Sequence, residues 1–253
     1  YSDMDGYYYV DYVEGIYLGY KYYETAAQEG FIDYDQTVQY PFGYGLSYTT
    51  FSKEVEKVDG DLNSDEIVIS VKVTNTGSVA GKEVVQVYAT PEYYSGGIEK
   101  AYVDLVGFNK SGLLQPGESE TVTVSVSPFE IASYDWNDAN GDGRTGYVLE
   151  RGAYQLKIMD NSHELSTVAA EFNLNRDIFF ENEPVTGMPI MNLFDDAAGG
   201  GESEQIVYLS RSDFAGTFPK PVAGNTGRAS SEAVKAASKI TVEDDPNAVP
   251  VVT

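Results

Sequence analysis

From about residue 52 the chain alternates. Ile67, Ile69, Val71 and Val73 take every second place, with Val68, Ser70, Lys72 and Thr74 between them, and Asn75-Thr76-Gly77 closes the run with turn chemistry. A second apolar run, Val84 to Tyr88, leads through a polar loop to a third, Tyr102 to Phe108. After the Pro116-Gly117 turn, Val122, Val124 and Val126 alternate with Thr121, Thr123 and Ser125. Tyr147 to Leu149 and Ala153 to Ile158 read as a hairpin around Glu150-Arg151-Gly152, and Thr167 to Leu174 supplies a last strand. Six or seven short β runs separated by turns predict a mainly β chain, a β-sandwich of immunoglobulin or fibronectin type III architecture over residues 52–175.

The flanks follow other rules. Residues 1–51 are aromatic and punctuated by glycine, with a short strand expected over Tyr12–Tyr20 and a short helix over Lys21–Glu29, ended by Gly30. This segment is too small to bury a core, so it reads as the last piece of a larger domain. Tyr40-Pro-Phe-Gly-Tyr-Gly-Leu-Ser-Tyr48 suits a tight packed loop whose rings wedge against a neighbouring domain. Residues 176–222 read as an extended linker that docks apolar residues on a neighbour, with one further apolar run at Ile206–Leu209. Residues 223–253 are small and polar, with a short helix expected over Ser231–Lys239 in a mobile tail.

Composition narrows the chemistry. In 253 residues there are 16 Lys+Arg against 40 Asp+Glu, a formal charge of −24, which opposes nucleic acid or an anionic membrane as partner. The absence of Cys removes disulfides, thiolate nucleophiles and thiolate metal sites, and a single His, His163, leaves no multi-histidine site. Thirteen of the 21 Tyr lie in the first fifty residues, so the chain is compositionally two things. It begins at Tyr1 without a basic segment and apolar core of the signal-peptide kind, as a processed or cut end would, and has no run of 18 apolar residues.

Tyr12-Val-Glu-Gly-Ile-Tyr-Leu-Gly-Tyr-Lys-Tyr-Tyr-Glu24 and Tyr40 to Phe51 together resemble the end of the α/β sandwich domain in glycoside hydrolase family 3, the β-glucosidase type. Val73-Thr-Asn-Thr-Gly77, Ala80 to Tyr88, Leu105-Val-Gly-Phe108 and Leu114-Gln-Pro-Gly-Glu118 are similar to that family's fibronectin type III-like domain. The resemblance covers residues 10–175. It implies a retaining glycosidase built from a TIM-like barrel, an α/β sandwich and the fibronectin-like domain. Such an enzyme needs a carboxylate nucleophile and a carboxyl acid/base about 5 Å apart. Neither maps onto this chain, so no catalytic residue is assigned; the expected partners are the remaining catalytic domains of the same enzyme and a carbohydrate substrate. The chain continues for nearly eighty residues past the sandwich, and Ile206 to Pro219 resembles the junction of a rearranged subset in which the barrel follows.

The remaining constellations each have a plainer reading. Ser212-Asp213-Phe214 superficially resembles the context of the family nucleophile, but the following Ala-Gly-Thr-Phe-Pro does not match. Glu14, among aromatic residues, could be an acid of raised pKa or a simple hydrogen-bonding group. Asp138, Asn140 and Asp142 stand at positions 1, 3 and 5 of a calcium-like loop with Gly143 at 6; Glu150 falls at 13 instead of 12, and an Asn-Gly-Asp-Gly turn explains the same letters. Calcium is the one cofactor the sequence suggests, against a default of none. The Tyr cluster suits either sugar stacking or interdomain packing. Asn109-Lys-Ser111 is a sequon, and His163 reads as a surface loop residue. The alternatives to an enzyme fragment are a free-standing carbohydrate-binding or adhesive module and a support that binds nothing.

Overall fold

A computed structural model describes residues 12–191 and 207–219. Residues Val13–Met191 with Tyr208–Pro219 make one compact unit. Tyr1 and the triplet Tyr7-Tyr8-Tyr9, the tail 223–253 and its expected helix at 231–239 lie outside the described residues.

The unit is a sandwich of two antiparallel sheets. Strands β1 (Phe51–Asp59), β2 (Ile67–Asn75) and β5 (Ser119–Val126) form one, in the order β1-β2-β5. Strands β3 (Val84–Pro91), β4 (Asp104–Lys110), β8 (Gly152–Met159) and β9 (Leu165–Leu174) form the other, in the order β4-β3-β8-β9. Period two does the work in β2, where Ile67, Ile69, Val71 and Val73 are fully buried and the residues between them are not. They meet Val85, Val87, Leu156 and Ile158 of the facing sheet in one core. Strand β3 is buried on both faces from Val85 to Ala89, because Tyr88 packs with Val103, Met159 and Tyr20 on the side away from that core. Over that stretch its lettering is apolar except for Gln86, whose buried amide donates to the Gly43 and Asp160 carbonyls, as a doubly covered strand requires.

Three expectations change. The predicted hairpin over 147–158 does not form. Strand β7 (Gly146–Leu149) pairs with β6 (Ser133–Asp135) and β10 (Ile178–Phe180) in a third small sheet, while β8 pairs with β3 and β9. The intervening Glu150-Arg151-Gly152 is a crossover between sheets. Gly152 turns the chain at φ 141°, and a Cβ there would lie 2.8 Å from Tyr94 Oη and 2.9 Å from Glu92 Oε2. The Arg151 amide donates to Asp177 Oδ1 at 2.6 Å, which ties the crossover to the approach of β10.

The predicted strand Tyr12–Tyr20 is absent as well. None of the three sheets includes it. Gly15 and Gly19 sit at φ 57° and 53°, and the Tyr17 amide donates to the Glu14 carbonyl at 3.0 Å, a turn where an extended run was expected. The predicted helix forms as α1 (Tyr20–Gln28), with Gly30 at φ 72° after it; a further single turn, α2 (Tyr34–Thr37), is capped by Asp33. The segment after residue 175 is also less extended than expected. Ile178 and Phe180 pack on the sandwich core, and Asn182 bridges to Pro189. Strand β1 escaped the sequence pattern because Lys53 occupies an inward place. Its buried ammonium is held by Glu83 Oε1 at 2.8 Å and Asp160 Oδ1 at 2.5 Å.

Asn75 joins the incoming chain to the sandwich. Fully buried at the end of β2, its Oδ1 accepts from Thr49 Oγ1 at 2.7 Å and the Gly77 amide at 3.0 Å, and its Nδ2 donates to the Val79 and Leu114 carbonyls at 2.8 and 2.9 Å. Replacement by Ala strands these partners, each at about 1–3 kcal/mol when buried, partly relieved by water. Asn75→Ala is expected to destabilise the chain by about 3 kcal/mol, read from the urea midpoint at constant m value.

Candidate functional site

The aromatic segment meets the sandwich along α1. Tyr20 Oη donates to Asp104 Oδ1 and accepts from the Leu105 amide, both at 3.0 Å, while Lys21 Nζ pairs with Asp104 Oδ2 at 2.6 Å. Thr25 Oγ1 accepts from the Tyr102 amide at 2.9 Å. Farther along lies a buried carboxylate. Glu24, 3% exposed, accepts from Tyr34 Oη at 2.5 Å and Ser162 Oγ at 2.6 Å through one oxygen, and meets His163 Nδ1 at 2.9 Å through the other. Tyr34 and His163 also stack, with ring centroids 3.8 Å apart and 3° between planes. His163 is exposed in the turn between β8 and β9, the surface loop position expected of it, and it also closes the seam; nothing in its neighbours in sequence indicates a partner 139 positions away.

Beside this cluster is an open pocket of about 320 Å³, lined among others by Glu24, Tyr34, Tyr102, Lys157 and His163. Burial lowers the Lys157 pKa, and its ammonium sits 4.9 Å from the Tyr102 ring. The pocket's Glu24 has both oxygens engaged, Oε1 by Tyr34 and Ser162 and Oε2 by His163.

The Tyr40–Tyr48 loop divides into two parts. Its inner part is docked: Phe42 stacks on Tyr20 at 4.4 Å, the Phe42 carbonyl accepts from the Ser162 amide at 2.8 Å, and the Gly43 carbonyl accepts from Gln86 Nε2 at 3.3 Å. Gly43 has φ 81°, and a Cβ there would collide with the Gln86 amide. The outer part is bare, with Leu46 at 89% and Tyr48 at 99% exposure and Tyr40 and Tyr44 tilted against one another, 5.3 Å apart.

The other sequence candidates fall at separate places. The Glu14 carbonyl accepts from the Tyr17 amide, as above. Asp213 Oδ1 caps a helical turn, α4 (Phe214–Thr217), by accepting from the Gly216 amide at 2.9 Å. Asn109 lies on β4 and donates to the Thr123 carbonyl at 2.8 Å. In the calcium-like loop, Asp138 Oδ1 accepts from the Gly143 amide, Asn140 Oδ1 from Asp142 and Asp142 Oδ1 from Arg144, at 2.9–3.1 Å. These are successive side-chain turns. Glu150 is elsewhere, paired with Lys100 at 2.5 Å. Asp135 Oδ1 accepts from the Asn137 and Ala139 amides at the base of the loop, and its Oδ2 is buried without a partner. Among the described residues no three His, Cys, Asp or Glu side chains converge on one point there.

Comparison with known proteins adds a family context. Residues 83–162 match the fibronectin type III-like domain. Beta-glucosidase A of Butyrivibrio fibrisolvens is 37% identical over 233 aligned residues, which take in 84% of this chain and 26% of that protein. An exo-alpha-(1→6)-L-arabinopyranosidase of Bifidobacterium longum is 34% identical over 161 residues, 64% of this chain and 19% of that protein. The solved structure of a beta-glucosidase from Paenibacillus barengoltzii superposes with a TM-score of 0.56 at 35% identity, covering 66% of this chain and 18% of that one. The chain thus spans no more than 26% of the length of any of these three.

Two measurements follow from the seam and the loop. Burial first, and then nearby carboxylates, push the phenols of Tyr17, Tyr34, Tyr88 and Tyr154 well above the ordinary 10.0. The unfolded chain therefore loses these protons at lower pH than the folded one. The stability they contribute is complete below about pH 10 and lost as pH rises toward the folded values. Above pH 10, loss of near-ultraviolet circular dichroism is expected to coincide with tyrosinate absorbance at 295 nm from these phenols; their smooth ionisation in a chain that stays folded would contradict the assignment. For the loop, excess EDTA is expected to leave the melting temperature unchanged. A fall restored by calcium would put a cation between Asp135 and residues Asp138, Asn140 and Asp142.

Proposed function

We infer that this chain, a fibronectin type III-like sandwich similar to part of the glycoside hydrolase family 3 β-glucosidases, is the non-catalytic supporting region of such an enzyme, joined to the end of its α/β domain. The observation that carries the reading is the extent of the match to the Butyrivibrio protein. Coverage of 84% amounts to about 212 residues, and a stretch that long within 253 takes in roughly residues 42 to 212 wherever it lies. The similarity therefore runs beyond the sandwich at both ends. It supports a parent in which further polypeptide follows the fibronectin-like domain, as in the rearranged order.

In the parent, the retaining reaction uses one carboxylate to form a glycosyl-enzyme intermediate and a second carboxyl group to protonate the leaving oxygen and then activate water. Both belong to the parts this chain does not contain. What the chain contributes is placement: a rigid sandwich, a seam that fixes the aromatic segment on it, and the exposed side chains of Tyr40, Tyr44, Leu46 and Tyr48 turned outward to meet the catalytic domains. The sugar is a β-glucoside or a related glycoside. The Bifidobacterium relative is named for an arabinopyranoside, so this region does not by itself dictate the sugar.

The exposed Tyr48 and Tyr40 also favour a second reading, in which the chain is a carbohydrate-binding or adhesive module whose rings stack on pyranose faces. One pair of measurements separates the two. The chain alone is expected to show no turnover of aryl β-glucosides and no heat on titration with cello-oligosaccharides, whereas the full-length reading frame hydrolyses the aryl substrate. Turnover by the isolated chain would refute the support reading, and tight glycan binding without turnover would establish the module.

A further inference from the structure

The segment Tyr208–Pro219 fills a groove of the compact unit closely. The Leu209 amide donates to the Val13 carbonyl at 2.7 Å, and the Leu209 side chain is buried with Tyr17, Ala26 and Phe214. Phe214 sits edge-on against Tyr17 at 5.1 Å and Tyr22 at 5.7 Å, with Phe31 at 6.0 Å. Between these two apolar anchors the contacts are polar and specific. The Glu99 carboxylate accepts from Ser210 Oγ at 2.5 Å, the Arg211 amide at 3.0 Å and Tyr17 Oη at 2.5 Å. Arg211 is almost wholly covered; its Nε donates to Glu29 Oε1 at 2.7 Å, Nη1 donates to the Lys100 carbonyl at 3.0 Å, and its guanidinium lies 4.4 Å from the Tyr93 ring. The segment also folds on itself, since Ser210 caps the 3₁₀ turn Arg211–Asp213 and Asp213 caps α4.

The groove has two owners. Tyr17, Tyr22, Glu29 and Phe31 belong to the aromatic segment, Tyr93, Glu99 and Lys100 to the loop between β3 and β4. One short peptide thus closes both over a single, partly buried carboxylate.

We propose that this groove is a sequence-selective peptide site whose occupant is the chain's own Tyr208–Phe218 segment, and that the segment acts as a non-covalent anchor, holding whatever follows it to the seam independently of the connection through residues 192–206. Its selectivity resides in the pattern Leu209-Ser-Arg-Ser-Asp-Phe214: two apolar side chains fit the ends, Ser210 and the Arg211 amide satisfy Glu99, and only a planar guanidinium spans Glu29, the Lys100 carbonyl and the Tyr93 face at once. In the rearranged order, on which this consequence rests, the anchor would fix the start of the following catalytic domain.

The test cuts the covalent path. In the full chain, Gly199-Gly200-Gly201 is replaced by the recognition sequence of a site-specific protease, the protein is cleaved, and the products are run on a sizing column at micromolar concentration. The two pieces are expected to elute as one species. With Phe214→Ala and Arg211→Ala together they are expected to separate, while the larger piece keeps its melting transition, because both substitutions lie on the departing segment. Hydrogen exchange supplies an independent reading in the uncleaved protein: the Leu209 and Arg211 amides are expected to exchange at least tenfold more slowly than in the double variant. Separation of the cleaved wild-type pieces, or co-elution undiminished by the double substitution, would overturn the anchor. None of these results depends on what the parent gene encodes after residue 253, so the anchor and the rearranged order stand or fall separately.

Discussion

A carboxylate held out of water organises this molecule. Burying an ionised carboxylate costs several kcal/mol unless hydrogen bonds replace its hydration. Glu24 is supplied by groups from two different parts of the chain, Tyr34 from its own segment and Ser162 with His163 from the turn joining β8 to β9. Withdrawing α1 from the sandwich would rehydrate Glu24, yet it would also uncover Tyr20, Tyr88 and Met159. Withdrawing the β8–β9 turn while α1 stays in place would leave the charge buried with fewer donors. The two parts are therefore coupled: neither relaxes cheaply without the other, and the aromatic segment behaves as a fixture of the sandwich.

How much of this could be read from the letters depends on range. The sheets were legible where burial on one face forces alternation, as in β2 and β5, and where burial on both faces favours a mostly apolar run, as in β3 around Gln86. Strand β1 was harder, because Lys53 replaces an apolar residue at an inward position and is neutralised by Glu83 and Asp160, both distant in sequence. The β7–β8 crossover failed as a hairpin for a related reason. Glu150-Arg-Gly152 carries turn lettering, but which strands it joins is decided by Tyr94, Glu92 and Asp177, none of them local. Glu24 and Glu99 looked like two more acids in an acidic chain. Apart from Tyr34, ten residues from Glu24, their partners lie across separations of 82 to 139 residues, and no local pattern announces such pairs.

The aromatic richness that set the first fifty residues apart now divides by function. Tyr17, Tyr20 and Tyr34 give their hydroxyls to carboxylates and their rings to neighbouring side chains, which is how a tyrosine serves a polar seam better than phenylalanine. Among the described residues, the hydroxyls of Tyr40, Tyr44 and Tyr48 have no such carboxylate partners, and these side chains stand at the surface. A sandwich that carried only the first kind would be a finished module. The second kind gives it an unfinished face beside a finished seam, which suits a region built to be held against further domains.

The same distinction bears on catalysis. An acidic chain with 40 carboxylates might be searched for a nucleophile and an acid, but the chemistry asks for carboxyl groups with unspent capacity, facing each other across space for a sugar. The carboxylates at the seam, buried or partly buried, are of the opposite kind. Glu24 and Glu99 each receive three donors, and Glu150 is closed by Lys100. Every donor that makes such a group a good structural tie stabilises its charge and fills the lone pairs a substrate would need, so the features that make these acids hold the seam together are those that disqualify them as reactants. A supporting region that locks its buried acids in this way can lie beside a glycosidase centre without offering it a competing carboxylate.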